Sequence, residues 1–287
     1  MASIVVEAPA KLNLTLDVLG KREDGYHEMK MVMQSVSLTD RIALTTREGK
    51  GIRLSTNLGF LPLDEHNLAA SAALRLKEAT GTDWGELDIR LEKRIPVCAG
   101  MAGGSSDAAA VLRGLNELCA LGLTLEELAE IGERVGSDVP YCVLGGTALA
   151  QGRGEVITPL PSLPKCYVVL AKPGFPISTP ELFAQLDNQR TRRRPDTAGV
   201  LKALEERDLG GVARRMFNVF EEVLPPRKRS QVEELKGEFL RCGALGASMT
   251  GTGPTVFGLF EEQKGAQEAE KALKALCREV FLAETIQ

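Results

Sequence analysis

Residues 96–109 read PVCAGMAGGSSDAA, a stretch of small side chains with two adjacent hydroxyls and one acid in the middle of a 287-residue chain. Small residues let a backbone approach another body closely. Where such a loop runs into a helix, the first N–H groups of the helix lie unpaired at the positive end of its dipole. That combination cradles phosphate. Pro96, Val97, Cys98, Ala99, Gly100, Met101, Ala102, Gly103, Gly104, Ser105 and Ser106 are therefore candidates to hold the phosphates of a nucleotide, and the two serines could cap the helix or donate to phosphate or a metal ion. A tight strand-to-helix turn with a serine cap accounts for the same letters. The chain has no GxxxxGKS or GxxxxGKT, and no GxGxxG opens a helix after a strand, so neither a Walker loop nor a dinucleotide fingerprint is present.

Four further places could carry chemistry. Asp138, in GSDVPYC, is a carboxylate among apolar residues at the start of a new element; it suits a general base, or a helix or turn cap. Lys11 sits between Ala10 and Leu12 in a strand pattern, where an unpaired ammonium would be costly, so it needs a carboxylate or phosphate partner unless it reaches solvent from a strand edge. Asn13, two residues on, shares its strand face and could bond an acceptor substrate. In DGYH (24–27), Asp24-Gly25 is a turn signal, and Tyr26 beside His27 is either half-buried packing or an aromatic and polar pair. TGTGPT (250–255) sets Gly251 and Gly253 beside hydroxyls such as that of Thr252, the letters of a hairpin turn.

The elements that must position these residues show in the periodicity. SIVVEA, KLNLTLDVLG, DRIALTTRE, GIRLST and LDIRLEKRIP read as strands, interrupted by a helix near 67–80 that Gly81 stops. A helix over 105–120 follows the small-residue loop with Val111, Leu112, Leu115, Leu118 and Cys119 as its apolar stripe. Thr124 and Glu127 predict a capping box for the next helix, and SDVPYCVLGGTALAQGRGE a return to strand. PLPSLPKC (159–166) is the linker candidate, placing domains at 1–160 and 161–287. Beyond it come strand YVVLAKP, helices near 179–187, 197–207, 210–223 and 230–242, two short strands around the 250–255 turn, a helix over 263–278, and a closing strand. RTRRRP (190–195) reads as a solvated surface run.

Composition narrows the class. A net charge of −4 argues against a general nucleic-acid binder, while an anionic small substrate stays open because local potential can differ from the total. Six cysteines without CxxC or metal-ligand spacing read as reduced core residues of a cytoplasmic protein. The opening residues lack a signal-peptide pattern and no run of about 18 apolar residues occurs, so no membrane span is expected.

PVCAGMAGGSSDAA resembles the phosphate-binding motif of the GHMP kinase superfamily, with APAKLNLTL (8–16) and ASMTGTGPTVFGLF (247–260) in the places of its other two motifs. The resemblance implies a two-domain α/β (α+β) fold, with an N-terminal ribosomal-protein-S5-domain-2-like domain and a C-terminal ferredoxin-like domain, and ATP and an acceptor bound in the cleft between domains. KLNLTLDVLGKREDGYHEM (11–29) and GSDVP (136–140) are similar to the branch whose acceptor is the 2-hydroxyl of 4-diphosphocytidyl-2-C-methyl-D-erythritol, in the non-mevalonate route to isoprenoids. It implies Asp138 as base with Lys11 beside it as the catalytic pair, Asn13 on the acceptor, Tyr26 stacking on cytosine with Phe183 able to supply the other face, His27 reading the base, and the 250–255 turn as a second phosphate-facing loop. ATP with Mg²⁺ is implied, the ion resting on nucleotide oxygens and Ser105 or Ser106 with no dedicated cluster; the partners would be small molecules, and the enzyme a monomer or homodimer. The loop departs from the superfamily pattern, a leucine and three glycines before the serines, at its first two places, which Met101 and Ala102 take; an ordinary φ is therefore expected at Ala102, with the close approaches at Gly103 and Gly104. A kinase for mevalonate or homoserine, or a non-catalytic nucleotide sensor, are the rival readings.

Overall fold

Two long strands open the chain, β1 (Ala2–Lys21) and β2 (His27–Arg47), joined by a turn in which the Arg22 N–H donates to the Tyr26 carbonyl. The computed structural model describes Ala2–Gln189, Thr191 and Arg193–Gln287. The first half of β2 escaped the strand reading for a physical reason. Residues 31–36 are all buried, so the period-two alternation that marks a half-exposed strand is absent there.

The chain divides into two compact units. One holds the chain through Ala10, Thr39–Val97 and Ala102–Gly145; the other holds Lys11–Leu38, Cys98–Met101 and Gly146–Gln287. β1 and β2 contribute to both, so the units interleave along the sequence.

In the first unit, β2 pairs antiparallel with β4 (Glu86–Glu92), and β3 (Gly51–Thr56) lies parallel to β4. Helix α1 (Leu68–Thr80) starts at Asn67, whose side chain accepts from the Ala69 N–H, and stops at Gly81 with φ 68°. Helix α2 (Gly103–Leu118) packs on the sheet closely enough that a Cβ at Gly114 would lie 2.6 Å from Leu44 Cδ1. Helix α3 (Leu125–Glu133) carries the expected capping box between Thr124 and Glu127. The next segment corrects the sequence reading: Val139–Leu144 is a short helix, α4, and strand resumes only at β5 (Thr147–Gly152). Pro140 suits a first helical turn, and burial of Val139, Tyr141, Cys142 and Val143 overrides the strand preference of these residue types.

In the second unit, the first half of β2 pairs with β5, and β5 with β6 (Val156–Pro159). A separate four-stranded antiparallel sheet runs β11 (Glu279–Glu284), β7 (Tyr167–Lys172), β10 (Val256–Phe260), β9 (Gly246–Met249). Helix α8 (Pro226–Arg241) lays Phe239 against Gly258, where a Cβ would come within 2.6 Å of the ring. Helix α9 (Gln263–Leu273) ends before the expected 278. Helices α5 (Thr179–Asn188) and α6 (Thr197–Glu205) lie near their predicted places. The helix expected over 210–223 is instead α7 (Leu209–Arg214), a two-residue strand β8 (Phe217–Asn218) parallel to β1, and a 3₁₀ turn over Val219–Val223. Asn218 breaks the helix, because its side chain accepts from the Phe220 N–H and caps the turn.

Two surface readings are also revised. Of the basic run, Arg190 and Arg192 lie outside the described residues, while Arg194 pairs with Asp17 at 2.6 Å and also donates to the Val18 carbonyl, so the run is tethered as well as solvated. All six cysteines are free, but Cys98 is exposed and not a core residue. Among the described residues no helix is long and apolar enough to cross a membrane.

Candidate active site

The small-residue loop is built on alternating backbone signs. Cys98, Gly100 and Ala102 have φ of 52°, 77° and 54°. Left-handed residues set among ordinary ones turn successive N–H groups toward one side, the geometry of an anion-binding nest. Ala102 overturns the expectation of an ordinary φ: it is the residue before α2, its left-handed backbone starts the helix, and its carbonyl accepts the Ser106 N–H at 2.8 Å. No side chain caps α2, so the first N–H groups of the helix, which have no partner within it, lack a side-chain acceptor at the cap.

The glycines divide into two kinds. A Cβ at Gly100 would stand 2.2 Å from the Thr250 carbonyl oxygen, and one at Gly251 would stand 2.6 Å from the Gly100 oxygen. The missing bulk at these positions lets the two loops touch backbone to backbone. Gly103 and Gly104 have ordinary φ, and their Cβ atoms would meet side chains, Ile95 at 3.1 Å and Leu68 at 3.3 Å. The serines also separate. Ser106 is wholly buried and its Oγ donates to the Pro9 carbonyl at 2.7 Å, which leaves half-buried Ser105 as the hydroxyl of the pair placed for a ligand.

Behind the loop stands a charge cluster to which the sequence reading gave no role. Lys93 Nζ donates to Asp40 and, at 2.5 Å, to Asp107, all three side chains being buried. Asp40 also accepts the N–H groups of Arg94 and Ile95, which fixes the strand end from which the loop departs. Burial pushes the Asp107 carboxyl up to about 7, against the lowering influence of Lys93. The signal was in the text: Lys93 and Asp107 flank the loop, but nothing local shows that Asp40 comes to meet them.

Lys11 and Asn13 do share a face. Lys11 is buried, and its Nζ donates to Asn13 Oδ1 at 2.6 Å. That oxygen also accepts from the Gly251 N–H at 2.9 Å, while the Asn13 N–H donates to Thr250 Oγ1 at 3.1 Å, whose one proton has the Gly100 carbonyl at 3.2 Å and Asn13 Oδ1 at 3.3 Å as alternative acceptors. Asn13, fully buried with its acceptor occupied, therefore ties Lys11 to the TGTGPT turn; its side-chain oxygen is not presented to a substrate. Asn218 holds the far side of the same turn through bonds to the Met249 and Gly251 carbonyls, both 2.8 Å. Thr252 Oγ1 meets Thr179 Oγ1 at 2.9 Å, and Gly253 has φ 80° against Met249.

DGYH forms the expected turn, with Asp24 accepting the Tyr26 N–H at 3.0 Å. Tyr26 is 56% exposed, and the Arg153 guanidinium lies over its ring at 5.2 Å. His27 stacks on Phe183 at 4.4 Å and bonds Asp187 at 2.8 Å through Nε2, while Phe183 meets Phe220 edge-on at 5.0 Å. Phe183 therefore turns one face to His27. Arg153 and Asp187 went unnoticed in sequence because they lie far along the chain from DGYH.

Asp138 occupies the N-cap position of α4, but its side chain makes no cap hydrogen bond, so a capping role does not explain it. Its carbonyl accepts the Cys142 N–H at 3.1 Å, one turn on.

Comparison with known proteins adds a family to this geometry. The profile described as "GHMP kinases N terminal domain" matches residues 67–146, and that described as "GHMP kinases C terminal" matches 200–279. A protein of Exiguobacterium sibiricum named 4-diphosphocytidyl-2-C-methyl-D-erythritol kinase is 49% identical over 98% of this chain and 97% of its own length. The chain belongs to the GHMP kinases. A kinase of the same name from Geobacillus kaustophilus is 50% identical over 96% of this chain and 94% of its own. The crystal structure of a 4-(cytidine 5'-diphospho)-2C-methyl-D-erythritol kinase superposes with TM-score 0.83 at 33% identity, covering 99% of this chain and all of that one. Homoserine kinase from Cytophaga hutchinsonii, with TM-score 0.78 at 22% identity over 100% of this chain and 95% of that one, shares the fold. The two-domain GHMP kinase fold expected from the three motifs is thus the fold of this chain.

Proposed function

We propose that this GHMP kinase transfers the γ-phosphoryl of ATP to the 2-hydroxyl of 4-diphosphocytidyl-2-C-methyl-D-erythritol, releasing ADP and the 2-phosphate. The observation that carries the reading is the near-full-length likeness, at 49% identity, to a kinase named for that acceptor. Mevalonate and homoserine are disfavoured as acceptors, since kinases named for them are only 19% and 22% identical and share the fold alone.

In this reading Asp138 accepts the proton of the acceptor hydroxyl, the oxygen attacks the γ-phosphorus, and the bond to ADP breaks. Lys11, held by Asn13, supplies positive charge to the reacting groups. The N–H groups of the 98–104 nest and the α2 start bind phosphate oxygens, with Ser105 assisting. The TGTGPT turn completes the phosphate surface and also sets Lys11, through Asn13. Mg²⁺, which neutralises phosphoryl charge when bound, would rest chiefly on nucleotide oxygens with the half-buried Ser105. Tyr26 offers an exposed ring for the base and His27 its neighbouring edge. We place the working domains at 1–160 and 161–287, since the two family segments fall on either side of that point, and the partners as small molecules in the cytoplasm, where six free thiols persist.

The test is ADP release with ATP and a panel of alcohols: the cytidylyl alcohol, mevalonate and homoserine. Turnover with the first and none with the others is expected. Turnover with another alcohol alone, or with none, would overturn the reading.

A further inference from the structure

The helix that carries Asp138 is only six residues long, too short to hold itself in place, and its last carbonyls need donors from elsewhere. Two of them receive donors from one side chain on the phosphate-loop helix. Arg113, in the third turn of α2, donates through Nη1 to the Cys142 carbonyl at 2.6 Å and the Val143 carbonyl at 3.4 Å, and through Nη2 to the Glu7 carbonyl of β1 at 3.2 Å. All these bonds run to main-chain oxygens. Burial pulls the guanidinium pKa down from its usual value, yet an arginine stays charged at any ordinary pH. A half-buried charge whose partners among the described residues are all carbonyls is a costly way to fasten a helix unless the direction it fixes matters.

The direction it fixes is that of Asp138. Cys142 donates its N–H to the Asp138 carbonyl, so the Arg113 bond falls on the residue one turn beyond the acid, at the negative end of the same short helix. Ser106, seven residues before Arg113 and so on the same face of α2, donates to the Pro9 carbonyl of the same strand segment. One helix thus begins at the glycine loop, grips β1 at two points, and clamps the end of the helix that starts at Asp138.

We infer that Arg113 is a positioning residue for phosphoryl transfer, holding Asp138 in register with the phosphate-loop helix. The inference rests on the reading of Asp138 as the base.

The experiment measures kcat, the ATP Kd and urea stability for Arg113→Ala and Arg113→Lys, alone and combined with Asp138→Asn, and for Arg113→Ala with added ethylguanidinium. Arg113→Ala is expected to lower kcat by about a hundredfold, the size of effect that a misplacement of about 1 Å produces, while the ATP Kd is unchanged. Ethylguanidinium should restore part of kcat, Arg113→Lys should fall between, and Arg113→Ala should cost nothing further once Asp138 is Asn. Should Arg113→Ala fail to fold, Arg113→Lys is read by the same kcat and Kd criteria. Undiminished kcat per folded molecule, or an equal loss in the Asp138→Asn background, overturns the inference. Asp138→Asn with full turnover overturns the reading of the base instead, so the two failures are told apart.

Discussion

Replacing Gly100 by Ala tests whether the small residues of the loop serve loop-to-loop contact. At φ 77° a side chain costs about 1–2 kcal/mol in backbone strain. The new Cβ would stand 2.2 Å from the Thr250 oxygen, 3.0 Å from the Gly253 nitrogen and 3.1 Å from the Thr250 carbon, all main-chain atoms that cannot rotate aside. To restore an ordinary contact of 3.4 Å the turn must retreat by 3.4 − 2.2 = 1.2 Å. That movement breaks the bond from Thr250 Oγ1 to the Gly100 carbonyl and strains that from Gly251 to Asn13, each worth about 1 kcal/mol. The sum is a loss of about 3–4 kcal/mol, with kcat falling too, because Asn13 holds Lys11. Gly104→Ala is the control. There φ is ordinary, the nearest atom is the flexible end of Leu68 at 3.3 Å, and alanine favours the helix by about 1 kcal/mol, so stability should hardly change. Urea denaturation and steady-state kinetics of both variants decide the matter. A Gly100→Ala enzyme as stable and active as its parent, or a Gly104→Ala enzyme equally destabilised, would refute the reasoning.

Asp138→Asn should nearly abolish kcat while ATP binding, followed by calorimetry, stays close to that of the parent; retention of most turnover would leave positioning and electrostatics alone to carry the reaction. Tyr26→Ala should weaken the cytidylyl acceptor by about 1–3 kcal/mol, or roughly ten- to a hundredfold, with ATP untouched and Tyr26→Phe mild; joint loss of stability and ATP binding would mark the ring as packing. Asp107 gives a pH prediction. Its carboxyl, pushed up to about 7, keeps a proton in the folded chain where the unfolded chain has already released it, so its contribution lowers stability as pH rises from about 4 to 7 and then levels off. Asp107→Asn should flatten that part of the stability profile, and identical slopes in urea titrations of the two proteins would refute the assignment.

The elements with local signatures were legible. Thr124 with Glu127, Gly81 at the end of α1, and the loop running into α2 each carry their instructions within a few residues. What sequence hid was decided by distant partners. The buried half of β2 lost its alternation because both faces are covered, and Val139–Leu144 became helix because burial outweighed strand preference. Lys11 and Asn13 were rightly placed on one face, but the role of Asn13 depends on Gly251, which lies 238 residues away. Phe183 could be named as an aromatic near the site, yet its partner His27 is fixed only by folding.

Ala102 shows why a departure from a glycine-rich pattern need not alter its geometry. Left-handed backbone at an alanine costs about 1–2 kcal/mol, a small share of the stability of a folded domain. The neighbours pin it on both sides. Met101 is buried and its carbonyl accepts the Lys11 N–H at 3.2 Å, while the Ala102 carbonyl accepts the Ser106 N–H at 2.8 Å as the first bond of α2. Returning Ala102 to an ordinary φ would forfeit the helix start and swing the N–H groups of the nest apart, so the loop keeps the strained residue. Strain held by the surrounding structure is the pattern of ligand-binding loops, and here it falls on a residue whose methyl group asks for an ordinary turn.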